Sequence, residues 1–176
     1  LYFAISSDGT DPGATIITDP SQVTTGTWIH VLGSWDGTTM RLYRDGVEVA
    51  NSLKASIKSS PNTRTAIGAT VGRVGDSVVS AFNGAIDEVR IYSRGLTASE
   101  VLALYNQKKA LFQRITYSDG LVFYASLDES GGIVTHSYGM GGGRGALRNF
   151  ALSGSTSNWI TGKYNGGLNF DGTNDI

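Results

Sequence analysis

The chain of 176 residues is long enough for one substantial core or for parts of two. Its 14 basic and 15 acidic residues give a net charge of −1, which removes the general electrostatic case for binding nucleic acid or an anionic membrane. The 24 glycines and the low charged fraction of 16% are typical of an all-β domain with many turns. The sequence has no cysteine, which excludes disulfides and thiolate metal sites, and it has no apolar run of the length that predicts a membrane span.

The first quarter of the chain alternates apolar and polar residues with period two, the pattern of half-buried strands. Strands are predicted at 1–6 and 15–18, followed by a three-stranded antiparallel meander over 28–51. Inside the meander, Asp45-Gly46 predicts a two-residue type I′ hairpin turn, because that turn needs positive φ at both positions.

The stretch 82–92 is predicted to be a single strand, preceded by shorter strands at 64–69 and 78–82. Its alternation places Asp87 on the same face as Val89 and Ile91, toward the core. A carboxylate in that position is costly unless a cation or several hydrogen-bond donors satisfy it. The position therefore indicates either a metal site or a dense hydrogen-bond site.

A capping box predicts a helix after this strand. The Thr97 hydroxyl and the Glu100 carboxylate are placed so that each satisfies a free amide at a helix start. The helix is predicted over 98–106, and its inward-facing residues are expected to be Val101, Leu102 and Tyr105.

The rest of the chain has weaker signals. A linker is predicted over 107–120, and a glycine-rich loop over 137–145. Strands are predicted at 121–127, 146–152 and 164–170.

Several of these stretches resemble one family. Residues 82–92 and the helix after them resemble the closing strand and helix of laminin-G-like domains of the concanavalin A-like lectin/glucanase superfamily. Residues 27–31 and 42–46 match the middle of those domains, whereas 121–129, 162–168 and 170–175 resemble their opening. The resemblance implies an all-β, antiparallel two-sheet jelly-roll sandwich with one short helix near 98–106, which the strand pattern also supports.

The family motifs occur in the order back half, linker, front half. The expected organisation is a window across a tandem array, with 1–106 as the C-terminal part of one laminin-G-like domain, 107–120 as linker, and 121–176 as the N-terminal part of a second. The alternative is one circularly permuted, incomplete jelly roll, in which the front half packs on the back half.

Function does not follow from this fold alone. Glycosidases of the superfamily resemble one another in a Glu-x-Asp-x-x-Glu strand, which sets two carboxylates on one face. Here Asp87 and Glu88 are adjacent and face opposite sides, as do Asp128 and Glu129, so no enzymatic activity is expected.

The predicted function is a noncatalytic carbohydrate-binding or adhesion module of a secreted or cell-surface bacterial protein. The alternative is a structural spacer repeat without ligand, and an accessory domain of a glycoside hydrolase ranks below both. The expected partners are a glycan or an extracellular protein, together with neighbouring domains of the same type.

Three residues are candidate ligand contacts, namely Trp35 before a turn at a sheet rim, Trp159 in a Ser-rich loop and Arg144 in the glycine-rich loop. For the two tryptophans, a partly buried structural role is the commoner case. Trp28 is assigned to the core because it begins a buried strand. The two histidines, His30 and His136, have no carboxylate at a catalytic or metal-ligand spacing and are assigned packing or surface roles.

A structural calcium ion is the one cofactor expected. In related domains the opening and closing strands lie close together, so Asp128 would meet Asp87 if the chain is permuted, whereas in a tandem array the two residues belong to different copies. Two buried carboxylates need a cation or a shared proton, and oxygen-only ligands suit Ca²⁺ rather than zinc. Asp171 and Asp175 are weaker candidates, because their segment is also an ordinary turn. The alternative for Asp87 is a carboxylate that accepts backbone and arginine hydrogen bonds.

Overall fold

The computed structural model describes residues 1–6, 14–58, 65–71, 78–107, 119–139, 143–150 and 158–176. These residues form antiparallel strand pairs and one short helix, which confirms the predicted fold class. The chain divides into two compact units, of which the first contains residues 1–61 and 94–117 and the second contains residues 62–93 and 118–176. No helix within the described ranges has the length and apolar character needed to cross a membrane.

The first unit contains five strands and the helix. They are β1 (Tyr2–Ser6), β2 (Ala14–Thr18), β3 (Val31–Trp35), β4 (Thr39–Arg44), β5 (Val47–Leu53) and α1 (Ala98–Asn106). The order β3-β4-β5 is the predicted meander, and β1 pairs with β2 beside it. The core of this unit is built on buried Ile17, Met40 and Leu42, whose apolar area supplies the main favourable term for folding.

The hairpin between β4 and β5 turns at Asp45 and Gly46, which have φ of 50° and 80°. The prediction of a turn with positive φ at both positions is confirmed. Asp45 also binds the residue before β3 through its side chain and its backbone. Its Oδ1 accepts the His30 N–H at 2.9 Å, and its own N–H donates to the His30 carbonyl. Strand β3 therefore starts at Val31, and Trp28 lies before it with 37% of its surface exposed. The assignment of Trp28 to the core is wrong.

Helix α1 has the predicted bounds and the predicted capping box, with Thr97 as N-cap. Its buried residues are Val101 and Leu104. Leu102 and Tyr105 are 46% and 42% exposed, so their predicted inward orientation is wrong. The reason is that both side chains lie at the β4–β5 turn, where a Cβ on Gly46 would come within 3.0 to 3.1 Å of them.

The described part of the second unit contains nine strands. They are β6 (Ala69–Val71), β7 (Val78–Ala81), β8 (Asn83–Ile86), β9 (Val89–Tyr92), β10 (Leu121–Ala125), β11 (Val134–His136), β12 (Arg144–Ala146), β13 (Trp159–Thr161) and β14 (Gly166–Asp171). The pairings are β6–β7, β9–β10, β11–β12 and the three-stranded order β13-β14-β8. The buried core residues are Ala125, Leu127, Phe150, Leu168 and Phe170.

Short strands account for most of the differences from prediction in this unit. The strand predicted at 64–69 lies at β6 instead, the one predicted at 146–152 ends at Ala146, and β11 and β13 were not predicted. Strands of three residues are too short for a period-two pattern to stand out. Parts of other predictions, namely residues 7–10, 108–118, 140–142 and 151–152, lie outside the described residues.

The predicted single strand 82–92 is broken at Asp87 and Glu88. Strand β8 pairs with β14, whereas β9 pairs with β10, and Glu88 between them has a φ of 58°. Ile86 and Val89 pack against the same core although they are three positions apart, which one continuous strand would not allow. The expectation that Asp87 shares one face with Val89 and Ile91 in a continuous strand is therefore wrong.

Candidate functional site

The break between β8 and β9 creates a corner that consists of Asp87 and Glu88, and we call it the Asp87 corner. Positive φ is uncommon for a residue with a side chain, and such backbone conformations concentrate at functional sites. The corner sits where the chain leaves the β14 pairing and enters the β10 pairing. It therefore presents its two carboxylates to different neighbours.

Asp87 is half-buried. Its Oδ2 accepts the N–H of Tyr164 at 2.8 Å, while its Oδ1 is buried and has no hydrogen-bond partner among the described residues. Burial raises the pKa of Asp87 to about 6, and the negative charges of Glu88 and Asp128 act in the same direction. Such an orphaned buried carboxylate oxygen requires either a proton or a cation beside it.

Asp128 approaches the same region from the end of β10. The residue before it, Leu127, has a φ of 56°, and the Asp128 Oδ1 accepts the N–H of Gly166 at 3.0 Å. The negative charge of Asp128 acts in the same direction as burial on the pKa of Asp87. The meeting of the two carboxylates at a metal ion stays a prediction.

Both aspartates hold one loop, the connection between β13 and β14. Asp87 binds its Tyr164 amide and Asp128 binds its Gly166 amide, while Gly162 N–H donates to the Asn165 carbonyl within it. A Cβ on Gly162 would come within 2.8 Å of the Asp87 Oδ2. The glycines are needed because the loop backbone lies directly against the carboxylates.

The candidate metal-ligand atoms at this corner are the carboxylate oxygens of Asp87 and Asp128, the kind of atom that calcium prefers. One of them, the Asp87 Oδ1, is buried without a hydrogen bond among the described residues. Within the described residues, no group of three or more His, Asp or Glu side chains is arranged to hold a metal ion. A calcium ion at Asp87 and Asp128 stays a prediction, in which backbone carbonyls and water would supply the other ligands.

Glu88 points into a different network. Its Oε2 lies 2.6 Å from Arg90 Nη2, and the Tyr124 hydroxyl lies 3.0 and 2.9 Å from its two carboxylate oxygens. The Arg90 guanidinium stacks 4.5 Å above the Tyr124 ring. Burial and the charge of Glu88 raise the pKa of Tyr124. Asp87 and Glu88 thus take part in separate hydrogen-bond networks.

The weaker metal candidates stabilise a turn. Asp175 is 1% exposed, and its Oδ2 accepts the N–H of Asp171 at 2.9 Å and an amide hydrogen of Asn158. The Asp171 Oδ1 accepts the N–H of Thr173 at 2.7 Å. Burial raises the pKa of Asp175. Both carboxylates act as acceptors for backbone amides.

The two candidate tryptophans contribute to packing. Trp35 belongs to the first unit, where it packs against the core and its Nε1 donates to the Lys54 carbonyl at 2.7 Å. Trp159 belongs to the second unit, packs against that core and donates to the Gly132 carbonyl at 3.3 Å. Arg144 is exposed on β12, opposite His136 in the strand register. Their contact with a ligand stays a prediction.

Sequence reasoning missed several contacts of the second unit. The Nδ1 of His136 lies 3.4 Å from a Glu129 oxygen, a pairing across seven residues that no motif spacing indicates. The tilted ring contact between Tyr124 and Tyr138, with ring centroids 6.0 Å apart, also went unpredicted. Tyr138 was read only as part of a glycine-rich loop. The alternation of β10 was the available signal for the contact of Tyr124, since alternation shows which strand residues share a face.

Comparison with known proteins gives one family and one solved structure. A comparison with curated proteins gives no match. A comparison with solved structures finds a 2.1 Å crystal structure of an S-layer domain-containing protein from Clostridium thermocellum, which has 31% sequence identity to this chain and a TM-score of 0.39. The similarity covers 60% of this chain and 51% of that one, so this chain spans about half of its length. A family model of laminin-G type, described as concanavalin A-like lectin/glucanases superfamily, matches residues 1–102. The chain belongs to this family.

Proposed function

We propose that the chain is a noncatalytic carbohydrate-binding or adhesion module of a secreted or cell-surface protein, stabilised by calcium. The observation that carries the proposal is the use of the Asp87 and Asp128 carboxylates, which hold the β13–β14 loop through its backbone amides. Family membership supports the same conclusion at a coarser level, because it relates the chain to lectin-type domains. Neighbouring domains of the same type remain expected partners.

The acidic side chains of the second unit support binding rather than hydrolysis. A glycosidase needs two carboxylates that face one substrate bond, one as general acid and one as base or nucleophile. Here Asp87 binds the β13–β14 loop, Glu88 binds Arg90 and Tyr124, and Glu129 binds the backbone of His136. Each carboxylate thus has a structural partner of its own.

The calcium part of the proposal is tested by thermal unfolding of the whole chain with CaCl₂ or with EGTA. A bound ion stabilises the folded state by about 2.7 kcal/mol when its free concentration is about a hundredfold above Kd, which corresponds to several degrees in Tm. Calcium is expected to raise Tm, chelation to lower it, and Asp87→Asn or Asp128→Asn to abolish the difference. Asp171→Asn is the matched control, because that carboxylate lies in an exposed turn of the same unit.

Two results would contradict this part. If EGTA leaves the Tm of the wild-type chain unchanged, the Asp87 corner holds no calcium and the orphaned oxygen carries a proton instead. If Asp171→Asn abolishes the calcium response while Asp87→Asn keeps it, the ion binds at the 171–175 turn.

The carbohydrate part is tested by binding of the whole chain to an array of neutral and acidic glycans. We expect binding to one structural class of glycan, with saturation and with competition by the free sugar. A chain that binds no glycan and still gains stability from calcium would be the structural spacer of the alternative hypothesis. The two measurements therefore separate the binding role from the stabilising ion.

A further inference from the structure

We infer that Tyr138 is the stacking platform for one neutral pyranose unit of a polysaccharide. This inference rests on the proposed carbohydrate-binding function and gives it a location. Tyr138 is 69% exposed, so its ring offers an apolar face to solvent. Sugars expose C–H groups on one face of the ring, and an aromatic side chain can cover that face while water or polar groups serve the hydroxyls.

Tyr138 is exposed but firmly seated. Its N–H donates to the Tyr124 carbonyl at 3.0 Å, which joins it to strand β10. The Ser137 hydroxyl accepts the amides of both Tyr124 and Gly139, at 3.2 and 3.3 Å. The Ser137 N–H donates to the Gly143 carbonyl at 3.1 Å. The backbone on both sides of Tyr138 is therefore fixed, which reduces the ordering cost of binding.

Gly139 is required for this seat. A Cβ at that position would collide with the backbone of Val122 and Phe123. The glycine thus allows the segment after Tyr138 to lie directly against β10.

The side chain of Tyr138 also rests on a fixed base. Its ring lies 6.0 Å from the Tyr124 ring at an interplanar angle of 51°. The Tyr124 hydroxyl is bonded to Glu88, and the Arg90 guanidinium covers the Tyr124 ring. The strained backbone of Glu88, with φ of 58°, fixes the carboxylate that organises this base.

The charges of this base select the class of sugar. Arg90 and Glu88 form an ion pair at 2.6 Å, so that their charges cancel. A paired arginine offers little attraction to a sulfated or uronic sugar, because such recognition depends on free or bidentate cationic groups. A neutral hexose unit matches the aromatic face of Tyr138 and the paired charges of Arg90 and Glu88 at the neighbouring Tyr124.

The test is calorimetric binding of the whole chain to a panel of neutral oligosaccharides built from glucose, mannose or galactose. Tyr138→Ala should weaken binding of the recognised oligosaccharide by about tenfold or more, because it removes the stacking surface. Tyr138→Phe should retain binding within about threefold, since the ring remains. The matched control is Tyr2→Ala on β1, because Tyr2 is exposed to the same extent, at 70%, in the other unit. Tyr2→Ala should leave binding unchanged, and all three variants should melt like the wild type.

The outcomes separate this inference from the function on which it rests. If the wild type binds a neutral oligosaccharide and Tyr138→Ala binds it equally well, the platform is wrong while the carbohydrate-binding function stands. Equal losses in Tyr138→Ala and Tyr2→Ala would also overturn the platform. If the wild type binds acidic glycans alone, the assigned class of sugar is wrong. If it binds no glycan, the proposed function fails and the platform fails with it.

Discussion

Asp87 carries a carboxylate oxygen that is buried without a hydrogen-bond partner among the described residues. Transfer of an ionised carboxylate from water into a protein interior costs several kcal/mol unless charge or hydrogen bonds compensate it. One amide, that of Tyr164, compensates one oxygen, and the other oxygen has no hydrogen bond among the described residues. The residue therefore stabilises the fold best when a proton or a cation neutralises it.

The raised pKa of Asp87 predicts an inverted pH dependence in the absence of metal. Between its ordinary value of 3.8 and its value in the fold of about 6, the folded state holds a proton that the unfolded state has released. Stability should therefore fall as pH rises through this window and stay level above it, by on the order of 1 to 3 kcal/mol. Denaturant unfolding of the wild type and of Asp87→Asn in EGTA, from pH 4 to 7, gives the free energy of unfolding of each protein. The contributions of the other carboxylates are the same in both proteins and cancel in the difference between the two free energies. Parallel curves for the two proteins would refute it.

At the residue scale, the resemblance placed Asp87 and Asp128 at one metal site, and that site stays a prediction. Both carboxylates accept backbone amides of the same β13–β14 hairpin. The partners of the two carboxylates, the amides of Tyr164 and Gly166, could not be foreseen. The Tyr164 amide is 77 residues from Asp87 and the Gly166 amide is 38 residues from Asp128. Such contacts depend on strand pairing rather than on local order.

At the scale of elements, the β4–β5 hairpin joins turn geometry to helix packing. Gly46 has a φ of 80°, and a Cβ there would also meet Leu102 and Tyr105 of α1 at 3.0 to 3.1 Å. The turn thus needs glycine for two separate reasons, one in its own backbone and one in its contact with the helix.

Two substitutions separate these reasons. Gly26 has nearly the same φ, 77°, but a Cβ there would meet nothing within 4 Å. Gly26→Ala should therefore cost about 1 kcal/mol from backbone strain alone, and Gly46→Ala at least about 1 kcal/mol more from overpacking. The free energy of unfolding from denaturant titration measures both. Equal losses would mean that the two helix side chains move aside without cost.

Elements with a local signature were predicted best. The capping box of Thr97 and Glu100 gave the bounds of α1, and Asp45-Gly46 gave the hairpin turn. The inward face of α1 was predicted correctly at Val101 and wrongly at Leu102 and Tyr105, because the burial of Leu104 in their place depends on the neighbouring hairpin. The break in the strand 82–92 was not predicted either, since the period-two alternation continues through Asp87 and Glu88 and neither residue is a glycine or a proline.

At the scale of the whole molecule, residues assigned to the back and front halves of the family domain pair with each other. Strand β8 pairs with β14 and β9 pairs with β10, all within the second unit. The organisation into two copies, 1–106 and 121–176, stays a prediction, as does the circular permutation. The order of motifs shows which halves are present, but it contains no information on whether they complete each other in one chain.

Pairing within one chain predicts a melt that does not depend on protein concentration. Strands that complete each other inside the molecule leave fewer open edges for other chains, so Tm should stay constant over a hundredfold range of concentration, about 1 to 100 μM. Calorimetry gives the midpoint, and sedimentation velocity gives the mass at each concentration. A midpoint that rises with concentration, together with a dimer in sedimentation, would assign these pairings to exchange between chains.

The Asp87 corner also fixes how the sequence tolerates changes in length. Side chains alternate along a strand, so removal or insertion of a single residue reverses the face of every side chain beyond it. The corner places Ile86 and Val89 on one core across an odd spacing of three. A one-residue deletion at the corner would leave these two residues two positions apart, a spacing at which one continuous strand keeps both on the same face. The deletion would therefore preserve the core face and instead remove the corner at which the chain changes from the β14 pairing to the β10 pairing. Its cost should come from lost strand pairing and from the lost contact of Asp87 with the β13–β14 loop.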